Sequence, residues 1–128
     1  MAGTASIHAQ ISGYLDHLVV EKGSSPHTLA AYRRDLDRYR RYLEAAGVTD
    51  LTGVSEAHVE GFRADLATAD PDTGRKALAA SSVARALAAV RGLHRFATRD
   101  GVTDVDAASA VSPPTPPKRL PKAVPVDR

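Results

Sequence analysis

Apolar residues recur along this chain at the three- and four-residue intervals of a helix face, in four separate windows. In the first, Ile7, Ile11, Tyr14, Leu15, Leu18 and Val19 keep that spacing, and Lys22-Gly23 supplies a basic last turn and a stop. Ser25-Pro26 then reads as N-cap and first helical residue, because the hydroxyl can accept from an early N–H while proline's missing donor costs nothing there. The second helix carries Leu29, Tyr32, Leu36, Tyr39 and Leu43 on one face and is predicted to run to Ala46, with Gly47 closing it. Ser55 opens a shorter helix through Val59, Phe62 and Leu66, and DPDTG from Asp70 to Gly74 ends it in a turn. The fourth helix is predicted to begin at Ser81 or Ser82, continue through Val83, Leu87, Val90, Leu93 and Ala97, and stop at Asp100-Gly101. A brief helical turn is expected between Asp106 and Val111. No window alternates apolar and polar residues as a strand does, and no segment repeats at a fixed period. The expectation is an all-α fold of four main helices.

Residues 1–111 are enough for one compact helical domain with its own core. From Ser112 the chain becomes SPPTPPKRLPKAVP, where proline fixes φ and removes donors, so residues 112–128 read as a stiff basic linker. A linker at the end of a chain implies a piece of a longer protein. The sequence has no cysteine, which excludes thiol nucleophiles, cysteine zinc sites and disulfides and suggests a reducing, cytoplasmic setting. Its opening residues lack the basic start and apolar run of a signal peptide, and no stretch is apolar enough to span a membrane.

Charge changes the picture through its placement. The formal net charge is +2, but Arg75, Lys76, Arg85, Arg91, Arg95 and Arg99 follow one another with no Asp or Glu between them. The second helix adds Arg33, Arg34, Arg38, Arg40 and Arg41 against Asp35, Asp37 and Glu44. Two segments therefore suit an anionic partner while the remainder is net acidic. On a helical wheel, His27, Ala30, Arg34, Arg38 and Arg41 lie opposite the second helix's apolar stripe, and Asp35 and Asp37 sit on its flanks, where they are expected to pair with nearby arginines. That helix alone is also explained as a solvated face supported by i,i+4 pairs. The fourth helix is different, since no acid offsets Arg91, Arg95 and Arg99, which recur every four residues on one strip. Ala84, Ala88 and Gly92 beside them permit close approach to a groove or a partner. A mid-helix glycine costs about 1 kcal/mol against alanine, although a tolerated surface glycine explains it as well. Ser81 and Ser82 place hydroxyls and free N–H groups at the positive end of the helix dipole, fit for phosphate or for ordinary capping.

Enzyme signatures are lacking. There is no Gly-rich phosphate loop, no H-E-x-x-H, no G-x-S-x-G and no histidine pair at ligand spacing, so neither cofactor nor metal is expected. His94 lies near the core stripe, which favours a satisfied, partly buried imidazole. Tyr14, Tyr32 and Tyr39 read as core residues, not nucleophiles.

The segment SPHTLAAYRRDLDRYRRYL resembles the S-x-x-T-x-x-x-Y-x-x-D-L-x-x-F-x-x-F-L pattern that opens the DNA-binding domain of tyrosine recombinases, with Tyr39 and Tyr42 in place of the phenylalanines. SSVARALAAVRGLHRFATRDG is similar to the last long helix of that domain, and PPTPPKRLPKAVP resembles the linker preceding its catalytic domain. Within the family the likeness is to the Xer type. The resemblance implies a four-helix SAM-like core-binding domain forming half of a clamp on a recombination half-site. It carries over Thr28, Ala31 and Arg34 on the second helix, and Ser81, Ser82, Arg85, Arg91 and Arg95 on the fourth, as contacts to double-stranded DNA, and Arg38 joins them from the outward side of the wheel. It further implies a dif-like target, a XerC-like recombinase in a heterotetramer and an FtsK-type translocase as partners of the full protein, with catalytic residues after the linker. No H-x-x-R occurs in this sequence, so this chain is expected to bind and not to cut. Whether Arg85 and Arg91 clamp phosphates or read guanine edges is left open. A helical module docking an acidic protein is the alternative, and a self-contained helical enzyme has little in its favour.

Overall fold

The computed structural model describes residues 6–109 and 111. Four α-helices follow in order: α1 (Ile7–Lys22), α2 (Pro26–Ala45), α3 (Glu56–Leu66) and α4 (Ala80–Arg99), with a short 3-10 turn at Leu51–Gly53 ahead of α3. No strand forms among the described residues; Asp70 and Arg75 make an isolated antiparallel bridge that closes the DPDTG turn. The region read as a linker, residues 112–128, lies outside the described residues.

The elements start and stop where local chemistry directs. Ser6 accepts from the Ala9 N–H to open α1, and Gly23, at φ 61°, closes it. At α2, Ser25 accepts from the Thr28 N–H at 3.1 Å, with Pro26 at the first helical position. Ser55 and His58 form a reciprocal capping box on α3, the Ser55 N–H donating to His58 Nδ1 at 2.9 Å.

The fourth helix departs from expectation. It begins at Ala80, one to two residues earlier than predicted, and Ala79 in the cap position offers no side-chain hydrogen bond. A tertiary contact sets this start: the Leu78 N–H donates to Leu66 O at 2.9 Å, tying the incoming chain to the end of α3, and the first helical bond, from the Val83 N–H to Ala79 O at 3.0 Å, follows directly. Ser81 and Ser82 are thus inside the first turn and cap nothing. After α4 the Ser109 N–H donates to Asp106 O and the Val111 N–H to Ala108 O, each at 3.2 Å; these are turns and no helix is formed there among the described residues, and Ala108 and Val111 are buried.

One core joins the helices. Leu36, Tyr39 and Leu43 of α2 meet Phe62 and Leu66 of α3 and Leu87, Val90 and Leu93 of α4, while Ile7, Ile11 and Leu15 close it from α1. His94 is fully buried within it, and its Nε2 shares a 2.8 Å hydrogen bond with the Tyr39 hydroxyl. Burial drives the His94 pKa down to about 4 against a weaker opposing pull from Asp106. Tyr32 is only partly buried at the core margin.

The small residue in α4 finds its partner inside the molecule. A methyl on Gly92 would overlap the Tyr14 hydroxyl and come within 2.8 Å of its Cζ. Gly92 therefore admits α1, and neither a groove wall nor idle surface is needed to explain it.

Candidate nucleic-acid interface

The two arginine-bearing helices are joined by an ion pair between residues 50 apart in sequence. Arg85 Nε donates to Asp35 Oδ2 at 2.8 Å and Arg85 Nη2 to Asp35 Oδ1 at 2.9 Å, a bidentate contact from α4 to α2. Asp35 is buried, with 1% of its surface exposed, whereas the Arg85 side chain keeps 39% of its own. The hydrogen bonds that Arg85 donates to the Asp35 carboxylate raise its guanidinium above its usual range, against the pull of burial. The expectation that Asp35 pairs on the flank of its own helix is thus corrected: Asp35 lies at the inner border of α2, turned toward α4.

That seam borders the outward face of each helix. At about 100° per residue, Ala31, Arg38 and Arg34 fan outward from Asp35 on α2, whereas Thr28 falls on the apolar side of Asp35 and is exposed because it lies in the first turn. On α4, Arg85, Ser81, Arg95 and Arg91 fall in the same way on the exposed side, with Ala88 near its middle; Ser82 lies on the other side of Arg85, partly buried. All nine nominated residues belong to these two helices, but the structure does not gather them at one point. Arg34 lines a groove between α1 and α2 with His8 and Ser12. Arg38 borders a separate depression with Tyr42, Asp70 and Arg75.

The ion pairs divide the cations into two classes. Arg40 is held by Asp37 at 2.5 Å and Glu44 at 3.1 Å, and Arg41 by Asp37 at 3.5 Å. Arg40's hydrogen bond keeps the Asp37 carboxyl below its ordinary range. Arg75 pairs with Asp65 at 3.4 Å across the α3–α4 connection. Among the described residues, Arg33, Arg34, Arg38, Arg91, Arg95 and Arg99 have no acid within 4.0 Å. The absence of acids in the α4 sequence therefore persists in three dimensions for its last three arginines and not for Arg85.

Lys22 was not singled out in the sequence. The fold brings it, with His17, into one shallow depression with Arg95 and Arg99 between α1 and α4, and no carboxylate lines it. Its basic character in the sequence had a local explanation, the last turn of α1; only the α1–α4 contact adds it to a larger cationic group. Among the described residues no cluster of three His, Cys, Asp or Glu could hold a metal, and no helix is long and apolar enough to cross a membrane. Burial pushes the Tyr14 hydroxyl up to about 12 and raises Tyr39 as well, so neither supplies a phenolate near neutral pH. The arrangement is built to attract an anion.

The sequence matches the family described as phage integrase, N-terminal SAM-like domain, over residues 11–101. It is 54% identical over 118 residues to the tyrosine recombinase XerD of Mycobacterium tuberculosis (strain ATCC 25618 / H37Rv), covering 92% of this chain and 38% of the relative. Against XerD of Mycobacterium leprae the identity is 52% over 124 residues, 97% of this chain and 39% of the relative. A tyrosine recombinase XerC from Pseudomonas syringae pv. syringae is 36% identical over 92% of this chain and 37% of its own length. The chain thus spans less than two fifths of those XerD relatives. Among solved structures, the N-terminal domain of a phage integrase/site-specific recombinase from Haloarcula marismortui superposes with a TM-score of 0.72 over 87% of this chain and 98% of that one. At 14% sequence identity that likeness speaks for the fold alone. The helical order, the arginine-bearing faces of α2 and α4, and the match over residues 11–101 lead to one assignment: the chain belongs to the phage integrase N-terminal SAM-like domain family.

Proposed function

We infer that this chain is the DNA-binding, core-binding module of a XerD-like site-specific tyrosine recombinase, and that α2 and α4 together grip one half-site of a dif-like recombination sequence. The observation that carries the reading is the strip of Arg91, Arg95 and Arg99, which has no acid in reach among the described residues. Like charges four residues apart destabilise a helix that stands alone, and a duplex, with one phosphate charge per roughly 1.7 Å of axis, relieves that repulsion on binding. The names of the relatives, tyrosine recombinases XerD and XerC, support the same reading.

On this reading the domain occupies residues 1–111, and residues 112–128 lead to a catalytic domain that carries the family's arginines, H-x-x-R motif and nucleophilic tyrosine. The full protein then pairs with a XerC-like recombinase in a heterotetramer, answers to an FtsK-type translocase and resolves chromosome dimers in the cytoplasm. Thr28, Ala31, Arg34, Arg38, Ser81, Ser82, Arg85, Arg91 and Arg95 are the proposed contacts to DNA.

A mobility shift with duplex DNA across a salt series tests the reading. The chain should shift duplex at low salt with a steep salt dependence, and Arg91→Ala should weaken all sequences alike while reducing the slope of log K against log salt by about one. An unchanged slope removes Arg91 from the phosphate contacts. Absence of any shift at low salt overturns the DNA reading and favours an acidic protein partner.

A further inference from the structure

A guanidinium has five donors in a fixed planar fork. Arg85 spends two of them on Asp35, both from the edge formed by Nε and Nη2. The remaining three lie on Nη1 and on the outer side of Nη2, and no hydrogen bond engages Nη1 among the described residues. Because the carboxylate holds one edge, the plane of the group and the direction of its other edge are both set. Asp35 is 1% exposed while the Arg85 side chain is 39% exposed, so the held edge points inward and the free edge faces solvent. Small residues flank the pair in register: Ala31 lies one turn before Asp35 on α2, and Ala84 and Ala88 adjoin Arg85 on α4.

We propose that Asp35 is a positioning residue for base recognition, clamping the inner edge of Arg85 so that its outer edge meets the acceptor edge of a guanine in the major groove. The proposal rests on the DNA reading above and resolves which role Arg85 plays within it. A phosphate clamp tolerates a swivelling cation, since the charge is what counts. Reading a guanine requires two parallel N–H groups aimed at O6 and N7, and a side chain with several free torsions is poorly aimed unless its far end is held. The same pair also ties α2 to α4, so the second helix decides where the reader on the fourth one points.

The test begins with selection of preferred duplexes from a pool with a randomised central segment, using this chain. Binding is then read by fluorescence anisotropy on the selected duplex and on a shuffled one of the same composition. The unaltered chain should prefer the selected duplex at least tenfold. Asp35→Asn keeps the charge of Arg85 and loses its clamp: preference should fall below about threefold while affinity for the shuffled duplex stays equal or rises. A purely structural role for Asp35 predicts equal losses on both duplexes, and that result, or a folded Asp35→Asn with full preference, overturns the proposal.

A second measurement needs no variant beyond one used for assignment. In NMR spectra of the guanidinium nitrogens, assigned with Arg85→Lys, the Arg85 Nε–H signal should stay in place on addition of the selected duplex while the Nη signals move. Movement of Nε with release from Asp35 overturns the clamp even if Asp35→Asn does not fold. A chain that binds both duplexes equally overturns base reading and leaves the DNA reading standing. A chain that binds neither at low salt overturns both.

Discussion

Gly92 and Asp35 show how one position can mislead when seen only in its own helix. In the sequence, Gly92 lies beside arginines and suggests a surface prepared for an outside partner; in the fold, its missing side chain makes room for Tyr14 of α1. Gly92→Ala sets two effects against each other. Removing a mid-helix glycine gains about 1 kcal/mol, whereas overpacking costs about 1–3 kcal/mol, and since the new methyl would crowd ring atoms as well as the hydroxyl, overpacking should prevail. Urea melts are expected to show Gly92→Ala destabilised by about 1 kcal/mol, with part of the loss recovered on adding Tyr14→Phe. A variant as stable as the parent would mean that Tyr14 swings away at no cost. Asp35 was hidden for a related reason. Its wheel position at the edge of the apolar stripe was legible, but an arginine 50 residues away could not be assigned to it by any local spacing.

At the level of elements, periodicity and capping chemistry carried nearly all of the reading. Ser25-Pro26, Ser55 and Gly23 act within a few residues of themselves, so α1, α2 and α3 start or stop as their sequences indicate. The start of α4 depends on the backbone bond from Leu78 to Leu66, a contact between segments that no local pattern contains. One consequence can be measured. Ala79 already has the extended conformation of an N-cap, φ −62° and ψ 155°, but no side chain to use there. Ala79→Ser should raise stability by about 1 kcal/mol, seen as a higher urea midpoint at unchanged slope. Ala79→Asp should stabilise the free protein at least as well, because a negative charge suits the helix N-terminus, and should weaken duplex binding if Ser81 and Ser82 face a phosphate. Unchanged DNA affinity in Ala79→Asp would place the phosphates elsewhere.

For the molecule as a whole, the buried His94–Tyr39 pair ties folding to pH. The His94 pKa falls from its ordinary value of 6.5 to about 4 on folding, so the unfolded chain takes up its proton first as the solution is acidified. Stability from the neutral imidazole is complete above pH 6.5 and is lost as pH falls through about 4. The loss is on the order of 3 kcal/mol. Thermal melts from pH 7 to pH 4 should drop accordingly, and His94→Gln should flatten that limb at the cost of lower stability at pH 7; an equally steep limb in the variant would move the effect to other groups. The sequence by itself determined the helical class, the identity of the core faces and the excess of arginine on α2 and α4, because these follow from periodicities and charges that act over one or two turns. Tertiary structure alone decided which arginines remain without a carboxylate, which helix Gly92 admits and which edge of Arg85 faces out. Each of those depends on packing between segments far apart in the chain, where the partner of a side chain is chosen by the fold and not by its neighbours.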